Sequence, residues 1–462
     1  FILIGVLLGR FVCGFLCPFG WFQELLHKIP FKKFSTKKLK PLRYIKYGVL
    51  LIFVILLPLL VTNSLGMGNP FFCKYLCPQG VLEGAIPLSI ANASIRAALG
   101  KLFTWKFGIL ITFVILSLMF YRPFCKWICP LGAIYALCNK VSFLQMKVDE
   151  DKCVSCGQCL VSCPFSAIVD KGQIFQTIMA LKSETPVYAI VAPAIAGQFP
   201  GMENNKIRGA FQALGFTDVR EVAVGADLCT VEEAKDFLEE VPEKLPFMAT
   251  SCCPSWSMMA KKLFPEQAKC ISMALTPMVL TARLIKQKEP DCKIVFVGPC
   301  AAKKLEASRK SIRSYVDFVL TFEEVAGMFD AKGVDWKDIP EGEPLFHASA
   351  DGRGFAVSGG VAEAVVHAVK RIDPDREVKV MNAEGLQNCK KMLQMAKIGK
   401  YNGYLLEGMA CPGGCVAGAG TIQTVKKAAA ALEKMKKEAS FTDAYDSKYR
   451  ARLESLEKFD VE

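Results

Sequence analysis

Residues Tyr47 to Gly66 read YGVLLIFVILLPLLVTNSLG and contain no charge. A membrane-spanning helix needs about 20 apolar residues, and a run this long has no polar face to offer water. Directly before it, Lys28, Lys32, Lys33, Lys37, Lys38, Lys40, Arg43 and Lys46 supply eight cations and no acid. That order is expected of the cytoplasmic flank of a span. Leu102 to Tyr121 (LFTWKFGILITFVILSLMFY) is a second candidate, with Lys106 near one end, where its stem can snorkel. Phe1 to Val12 reads as the tail of a third, because the chain opens inside an apolar run without Met or a signal-peptide pattern, which points to residues missing from the N-terminus. Gly84 to Gly100 is interrupted by Asn92, Ser94 and Arg96 and reads as a re-entrant or interfacial helix. With three crossings, everything after Tyr121 lies on the cytoplasmic side.

The net charge of +13 is concentrated in that basic flank, and no nucleic-acid module accompanies it, which argues against nucleic acid as a partner. After Val148 the composition becomes that of a water-soluble protein. From Pro186 onward, apolar runs (PVYAIVAP, KIVFVGP, GYLLEGM) alternate with charged amphipathic stretches (CTVEEAKDFLEEVPEKL, SMMAKKLFPEQ, TPMVLTARLIKQK, KKAAAALEKMKKEA). That alternation predicts an α/β domain with a largely parallel sheet. The polar segment from Phe441 reads as a peripheral helix. The glycine stretches ADGRGFAVSGG and CVAGAG lack the GxGxxG form after a strand, and no P-loop occurs, so no nucleotide fingerprint is present.

The chain has 20 cysteines and three histidines. The cysteines recur as ligand-like spacings and not as a dispersed disulfide framework, so the compartment reads as reducing and iron–sulfur clusters are the favoured metal groups. Cys153-Val-Ser-Cys156-Gly-Gln-Cys159-Leu-Val-Ser-Cys163-Pro is the C-x2-C-x2-C-x3-C-P run of bacterial ferredoxins. Either this insert holds one 4Fe-4S cluster, or Cys163 joins another whose remaining ligands lie elsewhere. Cys13 and Cys17, Cys73 and Cys77, and Cys125 and Cys129 form three CxxxCP segments. GRFVCGFLCPFG, NPFFCKYLCPQG and YRPFCKWICPLGA, with the ferredoxin run, resemble the membrane-bound polyferredoxins related to those that carry electrons from quinol in periplasmic nitrate reduction. The resemblance implies electron transfer at the membrane without fixing which pairs share a cluster. Cys125 and Cys129, nearest in sequence, are the preferred partners of the ferredoxin run, with Cys138 a weaker one; on three spans, Cys73 and Cys77 lie on the outer side.

Three further cysteine segments follow: TSCCPSW (Cys252, Cys253), VGPCAAKKLE (Cys300) and EGMACPGGCVAGAG (Cys411, Cys415). With one of the adjacent pair set aside they offer four thiolates, the number a cubane needs, and the glycines allow backbone to approach a bulky inorganic group. In order and separation these segments resemble the three signatures of FeFe-hydrogenases, from about Pro186 to Gln423. The resemblance implies an H-cluster, a 4Fe-4S cubane joined to a two-iron site bearing CO, cyanide and an azadithiolate. Carried over, Cys253, Cys300, Cys411 and Cys415 hold the cubane, Cys415 bridges to the two-iron site, and Cys252 is the proton-delivering thiol. Lys303 contacts a cyanide, Met409 packs on the bridge, and Pro193 belongs to the loop over the other cyanide. The proton relay continues through Glu233 and Ser272 to Asp236, where the family has Glu, and Glu240 stands where Arg is common. Gly298 replaces the usual Met and Ala194 a frequent Ser, a pattern resembling a less-studied branch. Cys229, Cys270, Cys292 and Cys389 fit no motif and read as plain buried thiols.

The resulting expectation is an α-helical transmembrane polyferredoxin-like region (1–148), a ferredoxin-like 4Fe-4S segment (149–175), an α/β hydrogenase catalytic domain (176–430) and a C-terminal helical tail (431–462). The resemblance implies reversible interconversion of protons and H2 at the cytoplasmic membrane, with the catalytic domain facing the cytoplasm. It implies as partners membrane lipid, dedicated maturation proteins, and ferredoxin or a membrane quinone as electron donor or acceptor. Two rivals stay open. One is a non-catalytic iron–sulfur electron-transfer or sensor protein, like relatives that serve iron–sulfur assembly or signalling; the other is a subunit that only feeds electrons to another enzyme.

Overall fold

A computed structural model describes residues 2–8, 12–13, 17–29, 31, 37–62, 67–93, 96, 99–138, 141–143, 152–163 and 168–456. The chain divides into two compact units, Phe1–Val148 and Asp149–Glu462.

In the first unit, two helices are long and apolar enough to cross a bilayer: Pro41–Leu60, with mean hydropathy 1.9, and Lys101–Met119, with 2.0. Only 11% of each apolar window is buried within the protein, so their side chains face outward. Of the third expected span, Ile2–Leu8 is helical among the described residues. Val81–Ala91 is too short to span at 1.5 Å per residue. Lys32 and Lys33 of the basic flank and residues 63–66 of the first expected span lie outside the described residues. The unit's core is aromatic: Phe124 meets Phe19 edge-on at 5.1 Å and Phe113 at 5.0 Å between ring centroids.

The second unit contains two sheets, ordered β2-β1-β4-β5 and β3-β7-β6. The strands are β1 (Val187–Val191), β2 (Asp218–Glu221), β3 (Met248–Ala249), β4 (Lys293–Gly298), β5 (Phe318–Thr321), β6 (Lys379–Glu384) and β7 (Tyr404–Met409). Every pairing is parallel, with Ala189 of β1 opposite Val219 on one side and Val295 on the other. All five residues of β1 are buried, which is why the strand reads as an unbroken apolar run. The expected parallel α/β domain is therefore present, but as two sheets. The segment from Phe441 carries two 3-10 turns, Ala444–Asp446 and Arg450–Ser455, in place of one peripheral helix. Its residues are too polar to bury a continuous face, and Asp443 caps the first turn by accepting from Tyr445 N.

Local signals set the helix ends. Helices Pro254–Leu263 and Pro277–Lys286 begin with Pro at N1, where the missing N–H costs nothing. Helix Phe322–Lys332 opens with a capping box between Thr321 and Glu324 and closes on left-handed Gly333. Helix Ala223–Glu240 carries Glu233 on its buried side and packs against Pro277–Lys286. The two approach so closely at Gly225 that a Cβ would fall inside van der Waals contact of Pro277 O and Thr281 Oγ1. Gly225→Ala must therefore part the helices. It is expected to destabilise the second unit by about 1–3 kcal/mol in chemical denaturation, and a wild-type midpoint would contradict this packing.

Candidate metal centre

In parallel sheets, ligands gather beyond the carboxyl ends of strands. Here β1 ends into Ala192-Pro193, β3 into Thr250 to Cys253, β4 into Pro299-Cys300 and β7 into Ala410-Cys411. The loops from both sheets meet at one cavity with about 830 Å³ of empty space. Its walls include Cys252, Cys253, Cys300, Cys411 and Cys415, together with Lys303, Met409 and Pro193. The three separated cysteine segments thus converge. Among the described residues no three Cys, His, Asp or Glu side chains approach closely enough to grip a single metal ion. Thiols lining a common void suit a multi-iron group that occupies the middle.

The donor chemistry fits such a group. Burial first, and then repulsion from neighbouring thiols, pushes the Cys300 thiol up to about 11 and Cys411 to about 12 and raises Cys415, and burial alone raises Cys253. A cationic iron–sulfur core would reverse that preference and hold all four as thiolates. The backbone is arranged for the same charge state: N–H groups of Ala410, Trp256 and Ser255 point at Cys253 Sγ, and those of Lys303 and Ala302 at Cys300 Sγ. Cys253 is itself the N-cap of helix Pro254–Leu263, where the helix dipole favours negative charge. Gly414, at φ 87, has Ala356 O 2.8 Å from where a Cβ would sit, so the loop before Cys415 admits no side chain.

Cys252 lies beside its neighbour but in a different electrostatic setting. Burial, and after it Glu233, raises its thiol well above the ordinary value. Glu233 is fully buried; Ser251 N donates to its Oε1 at 3.3 Å, Ser272 stands next to it, and Oε2 has no hydrogen-bond partner. Burial lifts its carboxyl to about 8, with Asp236 and Glu232 adding repulsion. Asp236 follows at i+3 on the same helix and is half-buried, leading outward. Burial alone would lower the Lys303 pKa, but Glu306, 2.6 Å away, more than offsets this and raises it. Thr276 Oγ1 donates to the other Glu306 oxygen at 2.5 Å, fixing the pair.

Several of these partners are not visible in the cysteine motifs. Glu306 could be found from its i+3 spacing to Lys303; Thr276 and Ser251 could not, since only the fold brings them near. Cys156 of the ferredoxin run also lines the cavity. The turn that carries it is pinned, because a Cβ on Gly157 (φ 78) would lie 2.6 Å from Ala419 Cβ, and Lys262 Nζ donates to Cys153 O at 2.9 Å. Cys153, Cys159 and Cys163 do not line the cavity, and Cys159 is exposed. Cys229, Cys270, Cys292 and Cys389 are all buried.

In the first unit, Cys125 and Cys129 are pushed up to about 12 and about 11, chiefly by burial, and both feel Cys17. Gln23 Nε2 donates to Cys125 Sγ at 3.2 Å. Cys77 packs in the same apolar cluster as Cys17 and Cys129, so within this unit one cysteine from each CxxxCP segment gathers in a single place. Cys73 is exposed, and Cys13 and Cys138 flank Tyr135.

Residues 185–419, just over half of the chain, match the model of the iron only hydrogenase large subunit, C-terminal domain. Models of 4Fe-4S binding domains match residues 1–38, 47–86 and 103–148, one CxxxCP segment in each, and residues 146–169. Among curated proteins, the NADP-reducing hydrogenase subunit of Solidesulfovibrio fructosivorans is 28% identical over 60% of this chain and 57% of its own length. The periplasmic Fe hydrogenase large subunit of Nitratidesulfovibrio vulgaris is 29% identical over 61% of this chain and 87% of its own. A probable cytosolic Fe-S cluster assembly factor of Aedes aegypti is 28% identical over 50% and 60% respectively. This chain therefore spans little more than half the length of some curated relatives it matches. Among solved structures, apo FeFe-hydrogenase from Chlamydomonas reinhardtii shares the fold, with a TM-score of 0.52 at 22% identity over 62% of this chain and 94% of that one. All of the cavity's cysteines except Cys156 fall within the range matched by the hydrogenase model, and by that match the chain belongs to the iron-only hydrogenase large-subunit family.

Proposed function

We propose that the chain is a membrane-anchored FeFe-hydrogenase that interconverts protons, electrons and H2. The observation that carries this reading is a single buried cavity walled by four candidate iron ligands, Cys253, Cys300, Cys411 and Cys415, and also by Cys252 and Lys303. The group they would hold, a cubane joined to a two-iron site with CO, cyanide and azadithiolate, supplies the redox chemistry of hydrogen when bound. The chain's own part is proton handling and exclusion of water. Cys252 keeps its proton at neutral pH because burial disfavours the thiolate, so it is a donor that brings no charge into the cavity. Glu233, with its proton half-dissociated near pH 8, can pass protons in either direction at small cost, and Ser272 and Asp236 extend the route outward. Lys303 stays cationic against Glu306 and presents fixed positive charge to an anionic ligand in the cavity.

The outward-facing apolar helices and the basic flank support membrane anchoring, with the second unit on the cytoplasmic side. The 4Fe-4S matches and the placement of Cys156 at the cavity support electron delivery through iron–sulfur clusters, with ferredoxin or a membrane quinone as the external partner. Assembly of the two-iron site would require maturation proteins. The competing reading, an iron–sulfur electron-transfer or sensor protein, is favoured by the assembly-factor names of some relatives. It gives no reason for a protonated thiol and a carboxyl of raised pKa beside the same cavity.

After anaerobic maturation, Cys252→Ala is expected to lower viologen-driven hydrogen evolution by about 100-fold or more while iron–sulfur content stays at the wild-type level. Undiminished evolution would refute the proton role. The folded Glu233 carboxyl binds its proton more tightly than the ordinary value of 4.5 allows. Its contribution to stability is therefore present at low pH and lost as pH rises toward about 8. Infrared difference spectra of wild type against Glu233→Gln should show a protonated carboxyl at pH 6 that disappears above about pH 8, and an ionised group at pH 6 would contradict the assignment.

A further inference from the structure

A second cavity in the Asp149–Glu462 unit shares no residue with the thiol-lined one and opens to solvent, with about 940 Å³ of empty space counting its mouth. Its floor is apolar, with Val219, Val224, Leu284 and Leu345 from four different segments. Its rim is cationic. Arg208 and Arg220 are held side by side on one carboxylate, Arg208 Nε at 3.1 Å from Asp218 Oδ1 and Arg220 Nη2 at 2.8 Å from Oδ2. Lys288 and Arg452 also line the rim, and neither pairs with an acid among the described residues. Of the two lining carboxylates, Glu221 is neutralised by a two-pronged bond to buried Arg353 at 2.9 and 3.0 Å, and Glu289 accepts from the Tyr188 hydroxyl at 2.5 Å. Arg208 Nη1 also reaches Glu343 at 3.3 Å, so against Asp218, Glu289 and Glu343 the four rim cations leave one net positive charge, with Lys288 and Arg452 as the cations not held by an acid, beside a space with room for a small organic molecule.

A third element is aromatic. His347 sits 4.3 Å from Phe346 and 6.2 Å from Tyr449 between ring centroids, and all three line the cavity. His347 Nδ1 is shielded from solvent and out of reach of a bound molecule, so His347 contributes aromatic surface to the cavity and not this nitrogen. Burial, then Lys448, Arg220 and Arg208, lowers the His347 pKa, so the ring is neutral.

We propose that this cavity binds an organic phosphate the size of a mononucleotide, with the phosphate on Lys288, Arg452 and the Asp218-bridged arginines and the planar base against His347, Phe346 and Tyr449. Guanidinium groups preset on a shared carboxylate match phosphate oxygens in pairs, and a neutral imidazole beside two aromatic rings can stack on a planar base. No sequence fingerprint marks the site because its cations come from helix, strand and C-terminal turn and not from one glycine-rich loop. The proposal is independent of the hydrogen chemistry.

Isothermal titration of the purified full chain in detergent with AMP, adenosine and inorganic phosphate tests it. AMP should bind, and adenosine and phosphate should each bind at least about tenfold more weakly, since each offers only half of the contacts. The charge-reversed pair Lys288→Glu and Arg452→Glu should weaken AMP by about tenfold or more. Both side chains are exposed, and if the reversed pair does not fold, the neutral Lys288→Gln and Arg452→Gln pair carries the same expectation. Absence of AMP binding to wild type, equal binding of phosphate alone, or undiminished binding to the variants would overturn the proposal.

Discussion

The structure of the second unit depends on parallel pairing. Because β1 and β4 run in register from Val187 opposite Lys293 to Val191 opposite Val297, their following loops leave the same edge of the sheet together. β3 and β7 do the same in the smaller sheet, where Ala249 pairs with Leu406. Reversing any one strand would send its cysteine to the opposite end of the domain. The ladder hydrogen bonds therefore do more than stabilise: they decide which thiols can share one group.

Gathering thiols and a lysine around one cavity, with a buried glutamate beside them, works against the fold, since each charged form loses hydration. The protein meets this in two ways. Where charge is kept, it is paired: Lys303 with Glu306, and Arg353 with Glu221 farther away. Where pairing is absent, the proton is retained, as on Cys252 and Glu233. Of the four remaining thiols, Cys253 and Cys300 are helped by backbone N–H groups, and Lys303 acts on Cys253, Cys300 and Cys415 but is already paired with Glu306, which leaves the metal group itself as the natural source of positive charge. Cys252 and Cys253 are adjacent in sequence and divide along this line, one held as a thiol beside a carboxyl and the other capped by a helix N-terminus.

Much of this is legible in the sequence, for physical reasons. PVYAIVAP, KIVFVGP and GYLLEGM are visible as strands because central parallel strands are buried on both faces and lose alternation. DVRE of β2 and KVMNAE of β6 are not, because they are edge strands that keep polar residues, half-buried in β2 and exposed in β6, and β3 has only two residues. The division into two sheets leaves no local mark. Cysteine spacing identifies the candidate ligands, but it cannot show that Cys156 reaches the cavity wall, which rests on the contact of Gly157 with Ala419 across more than half of the chain. In the same way, one cysteine from each CxxxCP segment, Cys17, Cys77 and Cys129, gathers through aromatic packing around Phe124, a tertiary effect without a sequence pattern.

The thiol-lined cavity is proposed to hold a two-iron site with diatomic ligands beside a cubane. Infrared spectroscopy of the matured, anaerobically purified chain tests this most directly. Stretching bands from iron-bound CO and cyanide are expected, shifting between hydrogen and argon atmospheres and absent when Cys415 is replaced by Ser. A sample with full iron–sulfur content, prepared with functional maturation proteins and showing no such bands, would contradict it.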